Sequence, residues 1–173
     1  MNTRILIILA LFVGIGAVLH AVVPPILFGV KPDMLLAMMF LGIVLFPKPK
    51  YILLLSLATG VVSALTTAAP GGQIANIIDK PVTAMVILGI FLLLNNKVKT
   101  TFLAPVLTAV GTLISGSIFL GIVSVLVGLP EAGFISLLIT VVLPAVAVNT
   151  IIMIVIYPIV QSIMKRSKPI TTA

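Results

Sequence analysis

Six long apolar runs constrain this chain more than any other feature of its sequence. The first, ILIILALFVGIGAVLHAVV, contains no Asp, Glu, Lys or Arg. The runs cover residues 5–23, 34–46, 51–67, 82–94, 102–129 and 134–164, and the breaks between them are rich in Pro, Gly, Asn and charge. With 61% hydrophobic and 8% charged residues, a single water-soluble domain of 173 residues could not bury this surface. We expect an all-α integral membrane protein, with residues 1–173 forming one transmembrane domain of six helices.

Two of the runs are short for a membrane. Residues 34–46 and 82–94 would each extend about 20 Å at 1.5 Å per residue, against a hydrocarbon core of about 30 Å. We expect them to borrow flanking residues, thin the bilayer or be sheltered by neighbouring helices. The first run also fits a signal peptide cleaved near Ala21, but it is longer than a usual signal core and favours a spanning helix.

Basic residues gather on one side of this arrangement. That side holds eight of the ten, namely Arg4, Lys48, Lys50, Lys97, Lys99, Lys165, Arg166 and Lys168. The other side receives Lys31 and Lys80. The positive-inside rule therefore predicts that both termini are cytoplasmic. Because the basic residues flank apolar runs, the net charge of +7 indicates membrane topology rather than nucleic-acid binding.

The three acidic residues then fall in the three external breaks, as Asp33, Asp79 and Glu131. Two acids stand close to a lysine, Asp33 to Lys31 and Asp79 to Lys80. A zwitterionic amino acid presents an ammonium and a carboxylate a few ångströms apart, so a site for it needs an acceptor and a donor held close together. These pairs are candidates for such a site. The alternative is that they are solvated loop charges or an internal ion pair.

The break APGGQIANIIDKP, residues 69–81, has the composition of a structured binding loop. Gly71 and Gly72 allow backbone to approach a ligand closely, and Gln73 and Asn76 can both donate and accept hydrogen bonds. Asn149 lies within the sixth run, where an amide must face protein or a water-lined cavity. The alternatives are purely structural roles: a turn between two helices for residues 69–81, and a hydrogen bond between helices for Asn149.

Three further features remain ambiguous. Pro144 and Pro158 provide possible kink points in the sixth helix. His20 is a candidate proton-coupled residue, although a lone histidine is more often structural. Small residues at Ala10, Gly14 and Ala17 predict a close helix contact, within the protein or with a partner.

Several kinds of chemistry find no support in this sequence. No cysteine and one histidine make a metal site improbable, and we expect no cofactor. No nucleophile motif or phosphate-binding GxxxxGK[ST] is present, so we expect no enzyme. If ATP drives this protein, another polypeptide must hydrolyse it.

The stretches PPILFGVKPDMLLAMMF, SALTTAAPGGQIANIIDKPVTA and VLPAVAVNTIIMIVIYPIVQSIMKR resemble the tryptophan transport protein family, TrpP, of Bacillus-type bacteria. The resemblance extends over essentially the whole chain. It implies uptake of L-tryptophan across a bacterial cytoplasmic membrane. Proteins of this family resemble the S components of energy-coupling factor transporters, which are six-helix proteins that capture solutes through their external loops. In those proteins, small residues of the first helix dock a coupling subunit driven by ATPases, which implies such a role for Ala10, Gly14 and Ala17.

The resulting hypothesis places tryptophan beneath residues 70–81, with residues 24–33 as a movable gate. Asp79 or Asp33 would bind the ammonium and Lys80 or Lys31 the carboxylate. The indole N–H would bond to Gln73, Asn76 or Asn149, and the ring would lie among Phe28, Met34, Met38 and Ile77. Two alternatives remain: a solitary proton-driven carrier that uses His20 or an acid, and a non-transporting membrane scaffold or subunit.

Overall fold

The computed structural model describes residues 2–24, 31–128 and 131–166, with Glu131 and Ala132 described by their backbone alone. Every regular element in these ranges is helical. The helices are α1 (Thr3–Val22), α2 (Met34–Leu45), α3 (Pro49–Thr66), α4 (Gly72–Leu94), α5 (Thr100–Val127), α6 (Glu131–Leu137) and α7 (Leu143–Arg166), and a π-helical turn (Leu138–Val142) joins α6 to α7 without a break. Apart from the start of α4, these boundaries lie within three residues of the predicted runs.

Five helices are long and apolar enough to cross a membrane: α1, α3, α4, α5 and the continuous helix Gly133–Arg166. Large apolar side chains remain exposed on all five, among them Val18, Leu65, Leu93, Phe102 and Ile163. Exposed apolar surface of this extent is stable only against lipid or another protein. The chain is therefore a multi-pass membrane protein, and the crossing of the bilayer by the shorter α2 stays a prediction.

Helix α2 forms the centre of the bundle. It packs against α1, α3, α4, α5 and α7, and each residue from Met34 to Val44 is buried. A helix that is apolar all round is stable only where protein or lipid surrounds it, and protein surrounds α2. The 12 residues of α2 span about 18 Å, and the neighbouring helices enclose this short segment.

The prediction that residues 69–81 form a break between two helices is wrong for most of this range, because α4 begins at Gly72. Gly71 precedes the helix with φ of 73°, and the polar residues Asn76, Asp79 and Lys80 lie in its first three turns. The fourth span therefore has 23 residues rather than 13 and is not short. The expectation that all three acids lie in external breaks is wrong as well, since Asp79 is helical and fully buried.

The last helix changes its winding just before Pro144. The π-helical turn Leu138–Val142 ends with the Leu143 amide donating to the Leu138 carbonyl, and α7 then continues to Arg166. Proline lacks an N–H and cannot donate to the carbonyl four residues earlier, so a wider turn at this point is physically reasonable. The predicted irregularity near Pro144 therefore takes the form of a π-helical turn.

Candidate functional site

A cavity of about 230 Å³ opens among the helix ends at one end of the bundle. This volume lies just below the range of about 300–1,000 Å³ usual for ligand pockets, so the space suits one small solute. It is bounded by the last turn of α1, the start of α2, the end of α3, the start of α4, the second half of α5 and the π-helical turn with the residues after it. The described lining residues are His20, Asp33, Leu36, Ser63, Thr67, Asn76, Lys80, Thr112, Ser115, Gly116, Phe119, Leu120, Val141, Val142 and Ala145.

A buried cluster of three charges forms the floor of this cavity. Lys80 Nζ lies 2.9 Å from Asp33 Oδ2 and 3.1 Å from Asp79 Oδ2. The same amino group donates to Ser115 Oγ at 3.3 Å. An ammonium group has three protons, and three acceptors already surround this one. Lys80 is therefore fully engaged by groups of the protein.

The two acids of the cluster differ in their access to the cavity. Asp79 is inaccessible, and its carboxylate accepts from Ser115 Oγ at 2.6 Å and from Thr83 Oγ1 at 2.7 Å as well as pairing with Lys80. Asp33 lines the cavity and keeps 28% of its side-chain surface exposed. With both acids ionised and Lys80 protonated, the cluster carries a net charge of −1, and Asp33 presents that charge to the cavity.

Asp33 is held in place from two directions. Its Oδ1 caps α2 by accepting from the Leu36 amide at 2.9 Å. Its own backbone N–H donates to Asn149 Oδ1 at 3.2 Å, and Asn149 Nδ2 donates to Thr112 Oγ1 at 3.3 Å. Asn149 is completely buried, as expected for an amide within an apolar helix. It connects α5, α7 and the start of α2, and it does not line the cavity.

A second polar region lies above the charged floor, between α3 and α4. The Asn76 side chain donates to Gly72 O at 2.9 Å and to Ser63 O at 3.5 Å. Its carboxamide oxygen accepts no hydrogen bond within the described part of the chain. Ser63 Oγ is buried and finds no partner among the described residues. Both side chains line the cavity and have hydrogen-bonding capacity to spare.

The opposite wall is apolar. Phe119 and Leu120 of α5 face the cavity together with Val141, Val142 and Ala145 at the junction of the π-helical turn and α7. Close approach of the two elements depends on Gly116, where an added Cβ would meet the Val142 side chain. The cavity thus combines one anionic end, one amide and hydroxyl edge, and one apolar side.

The sequence profile described as "Tryptophan transporter TrpP" matches residues 2–165. The chain belongs to the TrpP family. Three relatives bear the name probable tryptophan transport protein: those of Bacillus subtilis at 54% identity, Clostridium acetobutylicum at 42% and Clostridium perfringens at 36%. The matches cover 95–96% of this chain and 96% of each relative. No solved structure matches the chain significantly.

The site residues predicted from the sequence differ in where they lie relative to this cavity. Asp33, Asn76 and Lys80 line it, and Asp79 and Asn149 lie directly behind its floor. The other four lie elsewhere: Lys31 and Gln73 are exposed, Gly71 precedes α4, and Gly72 packs against Thr67.

The described side chains that were predicted to contact the indole ring do not line this cavity. Met34 and Met38 belong to the core around α2, Ile77 is exposed, and none of the three lines the cavity. Phe28 lies outside the described residues, as do residues 25–30 of the predicted gate 24–33.

Sequence reasoning missed the polar face of α5. Thr108, Thr112 and Ser115 are buried. Ser115 binds Lys80 and Asp79 of the cluster, and Thr112 accepts from Asn149. Their spacing of four and three residues places them on one helical face, a signal that was available in the sequence.

Proposed function

We propose that this protein takes up L-tryptophan across the bacterial cytoplasmic membrane and that the cavity holds the amino acid during transport. One observation carries the proposal: the partly exposed Asp33 carboxylate, which belongs to a cluster of net charge −1, and an apolar wall line the same cavity. An amino acid with a large side chain presents a cation and an apolar surface a short distance apart. Membership of a family described as tryptophan transporters supports the same solute.

The ammonium group of tryptophan binds Asp33 in this proposal. Asp33 is the carboxylate that lines the cavity, whereas Asp79 is already satisfied by Lys80, Ser115 and Thr83. An ammonium at Asp33 gives this carboxylate a second partner of opposite charge, and such a charge-assisted hydrogen bond is strong in a poorly hydrated site. Lys80 contributes by holding the two carboxylates together and not by binding the substrate carboxylate.

The indole ring lies against the apolar wall, with its N–H directed to Asn76. A buried indole N–H requires an acceptor, and the Asn76 carboxamide oxygen lines the cavity without accepting a bond from any described residue. Phe119, Leu120 and Val142 offer the ring apolar contact from the opposite side.

Tryptophan enters from the outer face of the membrane. The cavity lies at one end of the bundle, and seven described basic residues lie at or beyond the other end: Arg4, Lys48, Lys50, Lys97, Lys99, Lys165 and Arg166. The positive-inside rule assigns that basic end, with both termini, to the cytoplasm. The same proposal includes six transmembrane helices arranged in a bundle like that of an S component.

The energy source is either a partner ATPase module or the proton gradient. Ala10 and Gly14 are exposed on α1, where an added Cβ at Gly14 would meet no atom within 4 Å, so this face has room for another helix. A coupling subunit that docks there would supply ATP hydrolysis. A solitary carrier would instead use the titratable groups of the cavity.

The test is radiolabelled tryptophan uptake into liposomes that contain the purified protein alone, with and without an inward proton gradient, together with a binding titration in detergent. Uptake that the gradient stimulates supports a solitary carrier. Saturable binding without uptake supports a protein that needs a coupling module. Absence of both uptake and binding would exclude tryptophan as its solute and leave a membrane scaffold or subunit.

A further inference from the structure

Neither the lysine near the start of α2 nor the one in the cluster is placed to bind the tryptophan carboxylate. Lys80 Nζ donates to Asp33 and Ser115 and pairs with Asp79 at 3.1 Å, so three groups of the protein already surround this ammonium. Lys31 is exposed and does not line the cavity. A zwitterion whose ammonium binds Asp33 would leave the cavity with a net charge of −1, which is costly in a poorly hydrated space.

His20 is the remaining titratable side chain on the described cavity lining. Its Nδ1 atom is buried and has no hydrogen-bond partner among the described residues. The residue lies in the last turn of α1, where the carbonyl groups that end a helix attract positive charge. This ring nitrogen is therefore a hydrogen-bonding group that the described residues leave unsatisfied, beside an anionic cluster.

The charged groups around His20 are few. From the start of α2, Asp33 faces the same cavity, and from α4 Lys80 does so, with Asp79 behind it. Helix α3 also packs against α1, but its ionisable residues Lys50 and Tyr51 lie at the opposite end, where Tyr51 Oη accepts from the Asn2 amide. The hydroxyl and amide groups of α3 and α5 on the lining do not titrate.

Resting on the proposed function, we propose that protonated His20 binds the carboxylate of the amino-acid substrate, so that substrate and proton bind to the cavity together. The ammonium then pairs with Asp33 and the carboxylate with the imidazolium. Counting Asp33, Asp79, Lys80, His20 and the zwitterion, the occupied site is neutral. Empty, with His20 neutral, the site carries the charge of the Asp33–Lys80–Asp79 cluster alone.

Proton uptake on binding is the direct test, and calorimetry in buffers of different ionisation enthalpy measures it. Histidine changes its charge between about pH 5 and 8. Where His20 is neutral in the empty protein, each tryptophan should bring close to one proton, and affinity should fall by about tenfold per pH unit. Tryptamine, which lacks the carboxylate, should bind with neither effect. Equal proton uptake for the two ligands, or none with tryptophan, would overturn the proposal.

The variant His20→Asn provides a matched comparison between the same ligands. Tryptophan affinity should fall about tenfold and lose its pH dependence, while tryptamine affinity should stay unchanged, which also proves that the variant is folded. An equal loss for both ligands would indicate that His20 binds the indole or supports the fold, and would contradict the proposal. Absence of tryptophan binding to the wild-type protein at every pH would instead remove the proposed function itself.

A readout on the wild-type chain avoids any folding defect of the variant. The sequence contains one histidine, so a histidine-free affinity tag and ¹⁵N-histidine labelling yield a single imidazole signal. Saturating tryptophan should shift the ring nitrogens to the imidazolium position at a pH where the empty protein shows the neutral ring. Unchanged nitrogen shifts on saturation would overturn the proposal.

Discussion

At the scale of single residues, the two acids of the cluster have different neighbours and should respond differently to the same substitution. Asp33→Asn removes the carboxylate that faces the cavity, and Asp79→Asn removes the one enclosed by Lys80, Ser115 and Thr83. We expect Asp33→Asn to lower tryptophan affinity more than tenfold, because a neutral amide cannot balance an ammonium charge. Calorimetric titration of the purified variant would measure this.

Asp79→Asn should chiefly affect stability. Asp79 is completely enclosed, and asparagine at this position would offer Lys80, Ser115 and Thr83 a weaker, neutral acceptor, at a cost of about 1–3 kcal/mol. Thermal unfolding in detergent should therefore show a lower midpoint for Asp79→Asn than for Asp33→Asn. The reverse order of midpoints, or a loss of binding confined to Asp79→Asn, would contradict the assignment of the ammonium to Asp33.

Asn76 should determine recognition of the indole N–H. Wild-type protein is expected to bind 1-methyltryptophan about tenfold more weakly than tryptophan, since the methyl group removes the donor and leaves the Asn76 oxygen unbonded. Asn76→Ala should bind the two ligands with similar affinity. Competition against radiolabelled tryptophan measures both, and a preference that persists in the variant would place the indole elsewhere.

At the scale of elements, helix α5 contains glycines at positions 111, 116 and 121, a spacing of five residues that does not place them on one face of a helix. The packing of α5 explains this spacing. An added Cβ at Gly111 would meet the ring of Phe40 in α2, and one at Gly116 would meet Val142, whereas Gly121 has nothing within 4 Å. Two of the three glycines therefore serve different neighbours, one in the core and one at the cavity wall.

Alanine substitution in α5 should separate these environments. Gly111→Ala is expected to destabilise the protein by about 1–3 kcal/mol, because the buried Phe40 ring has little room to move. Gly121→Ala, the matched control, should be neutral or slightly stabilising, since alanine favours a helix by up to about 1 kcal/mol over glycine. Thermal unfolding in one detergent compares them, and equal midpoints would argue against the close packing of α5 on α2.

At the scale of the whole molecule, the absence of cysteine makes membrane topology directly measurable. Gln73 is exposed near the cavity end of α4, and Asn96 is exposed beyond its other end. A membrane-impermeant maleimide should label Gln73→Cys on intact cells and Asn96→Cys only after permeabilisation, because the basic end is expected in the cytoplasm. The opposite labelling pattern would place the cavity on the cytoplasmic face and exclude capture from outside.

The sequence by itself determined the helical membrane character, the bounds of five of the six predicted apolar runs to within three residues, and the family, because uncharged apolar runs and their flanking charges are local features. It also identified Asp33, Asn76 and Lys80 as candidates, although it assigned Asp79 and Lys80 to a loop. Only the tertiary structure decided that these two residues lie within α4 and are buried. Buried charges are tolerated when other groups pair with them or form hydrogen bonds to them. Asp33 at the start of α2 pairs with Lys80, and Ser115 of α5 donates to Asp79, so both partners come from distant parts of the chain. Asp33 faces the cavity and Asp79 does not, and this difference likewise depends on how six chain segments pack around the cavity.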